Sequence, residues 1–291
     1  MRQWIFVRQK SETSLTTAFL AVIIALASLA PLQASAQNAQ TTFDPSTFLT
    51  SSNVRDTFRQ AQAQALNVLD YLRKNVTHET LADLEDELPK YNRREHFYGW
   101  VNADPTTNCL DTRTEVLVRD ADPNVQIVFK NSKQCNVARG LWHDPYTGED
   151  FKISTAIQID HVVPLKNAYL TGAAHWTTSK RCNYGNFLNN DFHLLAVSGH
   201  ENMSKGGKSP EAYMPPDESY ACEYVAKWMK IKAIWKLQAT EEEMNGIENV
   251  IQTYHCSTTR FQIPAARVQA DRQATLQPPK RCAELDEASN L

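Results

Sequence analysis

Residues 159 to 210 read IDHVVPLKNAYLTGAAHWTTSKRCNYGNFLNNDFHLLAVSGHENMSKGGKSP, and the fold turns on them. Asp160-His161 closes an apolar run, and the Ile-x-x-Val-Val content over 158–164 predicts a short buried strand. Phe192 to Ser198 predicts a second strand, with His193 inside it. From Glu201 a helix begins, with Asn202 at its start and Lys205 and Lys208 within two turns. Between the strands, 166–179 reads as helix broken near Gly172, and 181–191 as an irregular Asn-rich connection. Asn189, Asn190 and Asp191 read as loop, His175 and Trp176 as packing. The order is strand, connection, strand, helix.

Those residue types suit one chemistry. An imidazole with a pKa near neutrality can take a proton from water. Asp160 and Asn202 offer oxygen ligands to a divalent cation, which takes up charge on a leaving oxygen. A helix start also favours phosphate. Neighbours on a strand point to opposite sides, so a twist or bulge at the strand end is needed for Asp160 and His161 to share a site. From Asp160 to Lys208 the cations Lys166, Lys180, Arg181, Lys205 and Lys208 outnumber Asp160, Asp191 and Glu201, while the whole chain carries −3. A general nucleic-acid coater would be basic, so a nucleic-acid role must rest on this local site. Lys205, Lys208 and Arg113 are the candidate phosphate contacts. Other hydrolase patterns fail. H-E-x-x-H from His200 meets Ser204 where a histidine is required, and G-x-S-x-G is absent from the sequence.

Outward from this stretch, the first 36 residues read as a secretory signal. Arg2, Arg8 and Lys10 precede an apolar run over 18–32, and Ala34-Ser35-Ala36 supplies the cleavage pattern. Residues 37–52 read as a linker, 53–75 as a helix, and 77–88 as a second helix stopped by Pro89. The aromatics of 91–100 read first as core-facing. Base stacking, with Arg93 and Arg94 on phosphates, is the second reading. Residues 114–118 and 125–129 alternate and predict strands around an Asp122-Pro123-Asn124 turn, and Asp144 to Gly148 is a further turn. Tyr220 to Leu237 predicts an amphipathic helix with Tyr224, Trp228, Ile231 and Trp235 on one face. Thr240 opens a last helix, to about Tyr254, with a capping box. From Ser257 the composition predicts a loosely held polar tail. Six cysteines in an exported chain suggest disulfides, and no C-x-x-C pair exists for a zinc knuckle. Six allow fifteen pairings. Cys222–Cys256 suits an antiparallel helix pair, Cys109–Cys135 is preferred beside it, and Cys182–Cys282 follows by elimination.

DHVVPLKNAYLTGAAHW and NNDFHLLAVSGHENMSKGGKSPEAYMPP resemble the HNH endonuclease signature of secreted nucleases similar to the GmrSD C-terminal domain. YNRREHFYGW, the segment from Cys109 to Leu117, and YACEYVAKWMKIKAIWKL agree with that family. The resemblance covers roughly 91–256. It implies an α+β fold with a ββα-metal (HNH, His-Me finger) core, flanking helices and an added β-hairpin, stapled by disulfides. With the residue readings above, the chain divides into a signal peptide (1–36), a linker with N-terminal helices (37–90), the nuclease domain that the resemblance implies (91–256) and a polar tail (257–291). It implies His161 as general base, Asp160 and Asn202 as metal ligands, and a second-strand residue that orients His161. That slot is usually Asn in the family and is His193 here. Oxygen ligands imply Mg²⁺ or Mn²⁺, and Zn²⁺ if His193 or His200 is a ligand. The expected activity is a secreted, monomeric endonuclease acting on DNA, with RNA as a second substrate class. It has low sequence specificity, since no recognition helix or zinc finger is visible. The alternative is an inactive secreted binding protein or effector on the same scaffold.

Overall fold

The computed structural model describes residues 65–288 apart from 104 and 107. The expected signal peptide, the linker and residues 53–64 of the helix expected over 53–75 lie outside the described residues, and the described part of that helix is strand over 65–67 and helical only over 68–73. β1 (Ala65–Asn67) leads into α1 (Val68–Arg73), capped by the Asn67 side chain. β2 (Val76–Thr77) precedes α2 (Leu81–Glu87), which opens with a Thr80/Asp83 capping box. α3 (Arg93–Phe97) buries Phe97.

Residues 114–118, expected as strand, are helical in α4 (Thr112–Asp120). The Asp111 side chain accepts from both the N–H and the hydroxyl of Thr114. This N-cap outweighs the β-branched composition that suggested a strand. β3 (Val128–Phe129), β4 (Val137–His143) and β5 (Asp150–Ile153) then form an antiparallel sheet. The Asp144–Gly148 turn joins its last two strands, with Gly148 at φ 73°.

β6 (Ile157–His161) pairs antiparallel with β7 (Leu194–Ser198), setting His161 opposite Leu194. Between them lie α5 (Leu165–Leu170) and α6 (Thr178–Gly185). The Asn-rich segment expected to be irregular is therefore helical as far as Gly185, because the Thr177 hydroxyl caps α6. α7 (Gly199–Lys205) follows β7 directly, capped by Ser198. Ile157, Ile159, Leu194 and Ala196 pack on Val116, Leu117 and Trp142, while Leu195 and Val197 face the larger core. Burial on both faces explains why these strands read as nearly continuous apolar runs.

The larger core is built on α8 (Ala221–Trp235), where Tyr224, Trp228, Ile231 and Trp235 are all buried. β8 (Ala239–Thr240) leads into α9 (Glu241–Thr253), capped by the Thr240 hydroxyl, but the expected capping box is only half formed because the Glu243 carboxylate turns to Lys232 and Trp228. Residues 257–288 are not a loose tail. β9 (Gln262–Pro264) pairs with β1, and α10 (Ala265–Thr275) and α11 (Lys280–Ala288) follow. The polar composition hides specific ties. Buried Asp271 accepts from Arg267, Asn189 and Asn190, and Asp286 accepts from Ser179.

The three disulfides are Cys109–Cys135, Cys182–Cys282 and Cys222–Cys256, as expected. Cys182–Cys282 closes 100 residues. In the chain-entropy picture, a loop of that size stabilises by about 4.7 kcal/mol. Among the described residues, no helix is long and apolar enough to cross a membrane.

Candidate active site

A pocket of about 380 Å³ opens where β6 ends against α7. Asp160, His161 and Asn202 line it, with Tyr91, Arg93 and Lys166 on its walls. Asp160 and His161 share one site although they are neighbours on a strand, because the pocket forms at the strand end.

Asp160 is 3% exposed. Its Oδ1 accepts from Lys205 Nζ at 2.8 Å and its Oδ2 from the Tyr146 hydroxyl at 2.6 Å. Burial pushes the Asp160 carboxyl up and the Lys205 ammonium down, and each charge opposes the other's shift. A carboxylate has about four lone-pair sites, so two remain for another ligand.

His161 donates from Nε2 to the Gly185 carbonyl at 2.9 Å, which leaves Nδ1 without a hydrogen-bond partner among the described residues. Burial, then the nearby charge of Arg93, pushes its pKa well below the usual histidine value, so the ring is neutral. Trp100 stacks on it, with ring centroids 5.3 Å apart and planes 3° from parallel. Gly185 ends α6, where helix carbonyls lack intrahelical partners. Asn202 donates from Nδ2 to Gln158 Oε1 at 2.8 Å, leaving its own carbonyl oxygen as an acceptor.

Several expected roles change. Lys205 is not presented to solvent as a phosphate contact would be. It is 0% exposed and spends its donors on Asp160 and the His161 carbonyl, as the counter-ion of the carboxylate. His193 makes no hydrogen bond to His161. It is sealed beside Tyr184, Phe187 and Trp235, donates to the Tyr184 carbonyl at 2.8 Å, and is neutral, with its pKa pushed down to about 3 by burial. Its Nδ1 is buried without a partner. The two histidines thus take successive carbonyls of α6, and only His161 lines the pocket. Arg113 ties the backbone, donating to Ser154 O and Ile157 O. Lys208 is exposed and donates to Ser204 O. His200 is 84% exposed and pairs with Glu201, away from the pocket wall.

The sequence missed Tyr146 and Gly185 as parts of the site, counted Lys166 only in the local charge excess, and gave Arg93 and Trp100 a part only in the second reading of 91–100. Tyr146 lay within a recognised turn, and nothing local ties that turn to Asp160, fourteen positions on. A backbone carbonyl such as that of Gly185 leaves no residue-type signal.

Among the described residues, no group of three or more His, Cys, Asp or Glu could hold a metal ion. A cation here would take one carboxylate and one amide oxygen, the rest coming from water or substrate phosphate. That donor set fits Mg²⁺ or Mn²⁺.

Residues 122–247 match the family described as GmrSD restriction endonucleases, C-terminal domain. An uncharacterized secreted protein of Arthroderma benhamiae is 38% identical over 160 residues, which are 55% of this chain and 74% of the relative. The chain is thus related to that secreted protein, and its segment 122–247 is similar to the GmrSD C-terminal domain. No solved structure matches the chain. The GmrSD-like segment holds Tyr146, Asp160, His161, His193, Asn202 and Lys205. Arg93 and Trp100 precede it, and α10 and α11 follow it.

Proposed function

We propose that the chain is a secreted endonuclease of the HNH type that hydrolyses phosphodiester bonds, in DNA and secondarily in RNA, with a divalent metal and little sequence specificity. The observation that carries this reading is one pocket, formed by a strand pair and the helix that follows it. There a neutral histidine with one nitrogen anchored sits beside a buried carboxylate and an amide oxygen. The GmrSD-like segment supports the nuclease class, and three disulfides with a secreted relative support export.

His161 is the base. Its Nε2–H is held on Gly185 O, so Nδ1 can take the proton of the attacking water. The low pKa keeps that nitrogen free of a proton at neutral pH, and Trp100 fixes the ring plane. Asp160 and Asn202 would hold Mg²⁺ or Mn²⁺, which supplies charge stabilisation to the leaving oxygen. Arg93 and Lys166 would hold phosphate in place of Lys205. Lys166 lies 2.7 Å from Glu85 in a partly exposed pair, a weak interaction that phosphate can replace. Zn²⁺ lacks support, since neither His193 nor His200 lines the pocket. The anchor on a backbone carbonyl also makes the exchange of Asn for His193 compatible with activity.

The test is plasmid and RNA cleavage by the purified, oxidised chain with Mg²⁺, Mn²⁺, Zn²⁺ or EDTA, beside His161→Ala. Cleavage that needs metal and falls at least about a hundredfold in the variant is expected for loss of a general base. A folded protein that cuts nothing with any metal would leave the binding-scaffold reading instead.

A further inference from the structure

Trp100 has a second neighbourhood. Besides stacking on His161, it lines a cavity of about 420 Å³ whose wall includes Lys280 and Arg281 of α11. A narrow cleft lined by Arg93, Trp100 and His161 shares walls with both this cavity and the catalytic pocket. We propose that the second cavity binds the backbone of the same nucleic-acid strand beside the scissile phosphate. Lys280 and Arg281 contact phosphates, and Trp100 packs against a base or sugar. The inference rests on the nuclease reading and adds a substrate arm outside the segment that matches the GmrSD family.

Three observations carry it. The first is charge. The chain is acidic, with a net charge of −3, yet this wall sets two cations against one carboxylate, Glu284. Lys280 is exposed, with no ion pair among the described residues, and Arg281 meets Glu284 in a largely exposed pair at 3.2 Å. Solvated pairs of this kind are weak, so phosphate can displace the carboxylate. The second is rigidity. Cys282 is bonded to Cys182 on α6, and Asp286 accepts from the N–H and hydroxyl of Ser179 at the start of α6. That helix also ends on the carbonyl that anchors His161. The cations and the base are therefore both fixed to one short element, as a preorganised site requires. The third is the aromatic. Stacking of nucleotide bases on aromatic rings is sequence-tolerant, in keeping with low specificity.

The test separates binding from chemistry. Fluorescence anisotropy with short labelled single- and double-stranded DNA, in EDTA, compares the wild type with K280A/R281A. A control, K130A/K133A, removes equal charge from the β3–β4 hairpin. The expected result is a Kd raised about tenfold in K280A/R281A, with the slope of log Kd against log salt shallower by about 1 for each phosphate no longer neutralised. The control should stay within about twofold of wild type, with its single-turnover cleavage at saturating DNA with Mg²⁺ unchanged. Thermal midpoints verify that both variants fold. Equal binding by the two double variants, from a wild type that cleaves, would overturn the inference and leave the nuclease reading intact. A wild type that neither binds nor cleaves would overturn both.

Discussion

Two buried lysine–carboxylate pairs divide the molecule. Lys205–Asp160 and Lys232–Glu243 both close at 2.8 Å, and both lysines are 0% exposed. Each carboxylate has a second donor, the Tyr146 hydroxyl on Asp160 and Trp228 Nε1 on Glu243. Each lysine also holds a carbonyl, of His161 and of Gln238. The difference is access. Asp160 lines a pocket beside a neutral histidine, whereas Glu243 is enclosed, with Asn167 of α5 as a further donor. Burial, pairing and a lysine pKa pushed down by burial are common to both pairs, so none of them marks a site alone. The opening beside the carboxylate does. The pair also reassigns the lysine of the N-x-S-K pattern. Removing a carboxylate from water is costly, and Lys205 offsets that at the pocket as Lys232 does in the core.

Truncating either lysine should have the largest effect and the same size in both regions. Lys205→Ala and Lys232→Ala each leave a carboxylate buried and unpaired, so each should lose about 3–5 kcal/mol in urea unfolding. A Lys205→Ala protein of wild-type stability would show instead that its ammonium reaches solvent, and would restore it as a phosphate contact.

Acid should pull the two regions apart. His193, on the pocket side, has its folded pKa pushed down to about 3 by burial, below the unfolded value near 6.5. The unfolded state therefore binds the proton first. Stability is fully present above pH 6.5 and falls as pH drops toward 3, by about 1.4 kcal/mol per unit within that window. Hydrogen exchange between pH 6.5 and 4 should show α6 and β7 losing protection before α8 and α9. His193→Asn, which can still donate to Tyr184 O, should reduce that loss. Loss of protection in α8 and α9 first would contradict this order.

Hydroxyls give the finest comparison. Tyr146→Phe removes a hydrogen bond to a charged group and should cost about 1.5–3 kcal/mol, with weaker Mn²⁺ binding by calorimetry. Tyr224 sits edge-on to it and its hydroxyl is buried without a partner. Tyr224→Phe should be neutral or stabilising, with Mn²⁺ binding unchanged. Equal effects from the two would deny Asp160 its special hold on Tyr146.

The sequence displayed elements and their faces in both regions, and hid the partners of single side chains. The paired strands, the helix after them, and Asp160, His161 and Asn202 were all legible because periodicity and residue type coincide there. The amphipathic face of α8 and the cap of α9 were equally plain. The counter-ion role of Lys205 was not, because a lysine reads the same on a surface and under one. The 114–118 segment was misread because β-branched residues hid the Asp111 cap. The region after 257 was misread because its ties are single side chains, such as Asp271 and Asp286, reaching back across the chain. Gly185 acts through its carbonyl, which any residue type would supply.

The most direct measurement is cleavage per folded molecule by Asp160→Asn and Glu243→Gln, each corrected for its folded fraction at the assay temperature. Both substitutions remove one charge from a buried pair. Asp160→Asn is expected to lose at least about a hundredfold in metal-dependent cleavage, since a ligand charge is gone from the pocket, while Glu243→Gln keeps wild-type turnover. Equal losses in the two, or an active Asp160→Asn, would contradict the claim that the Asp160 pocket is the catalytic site.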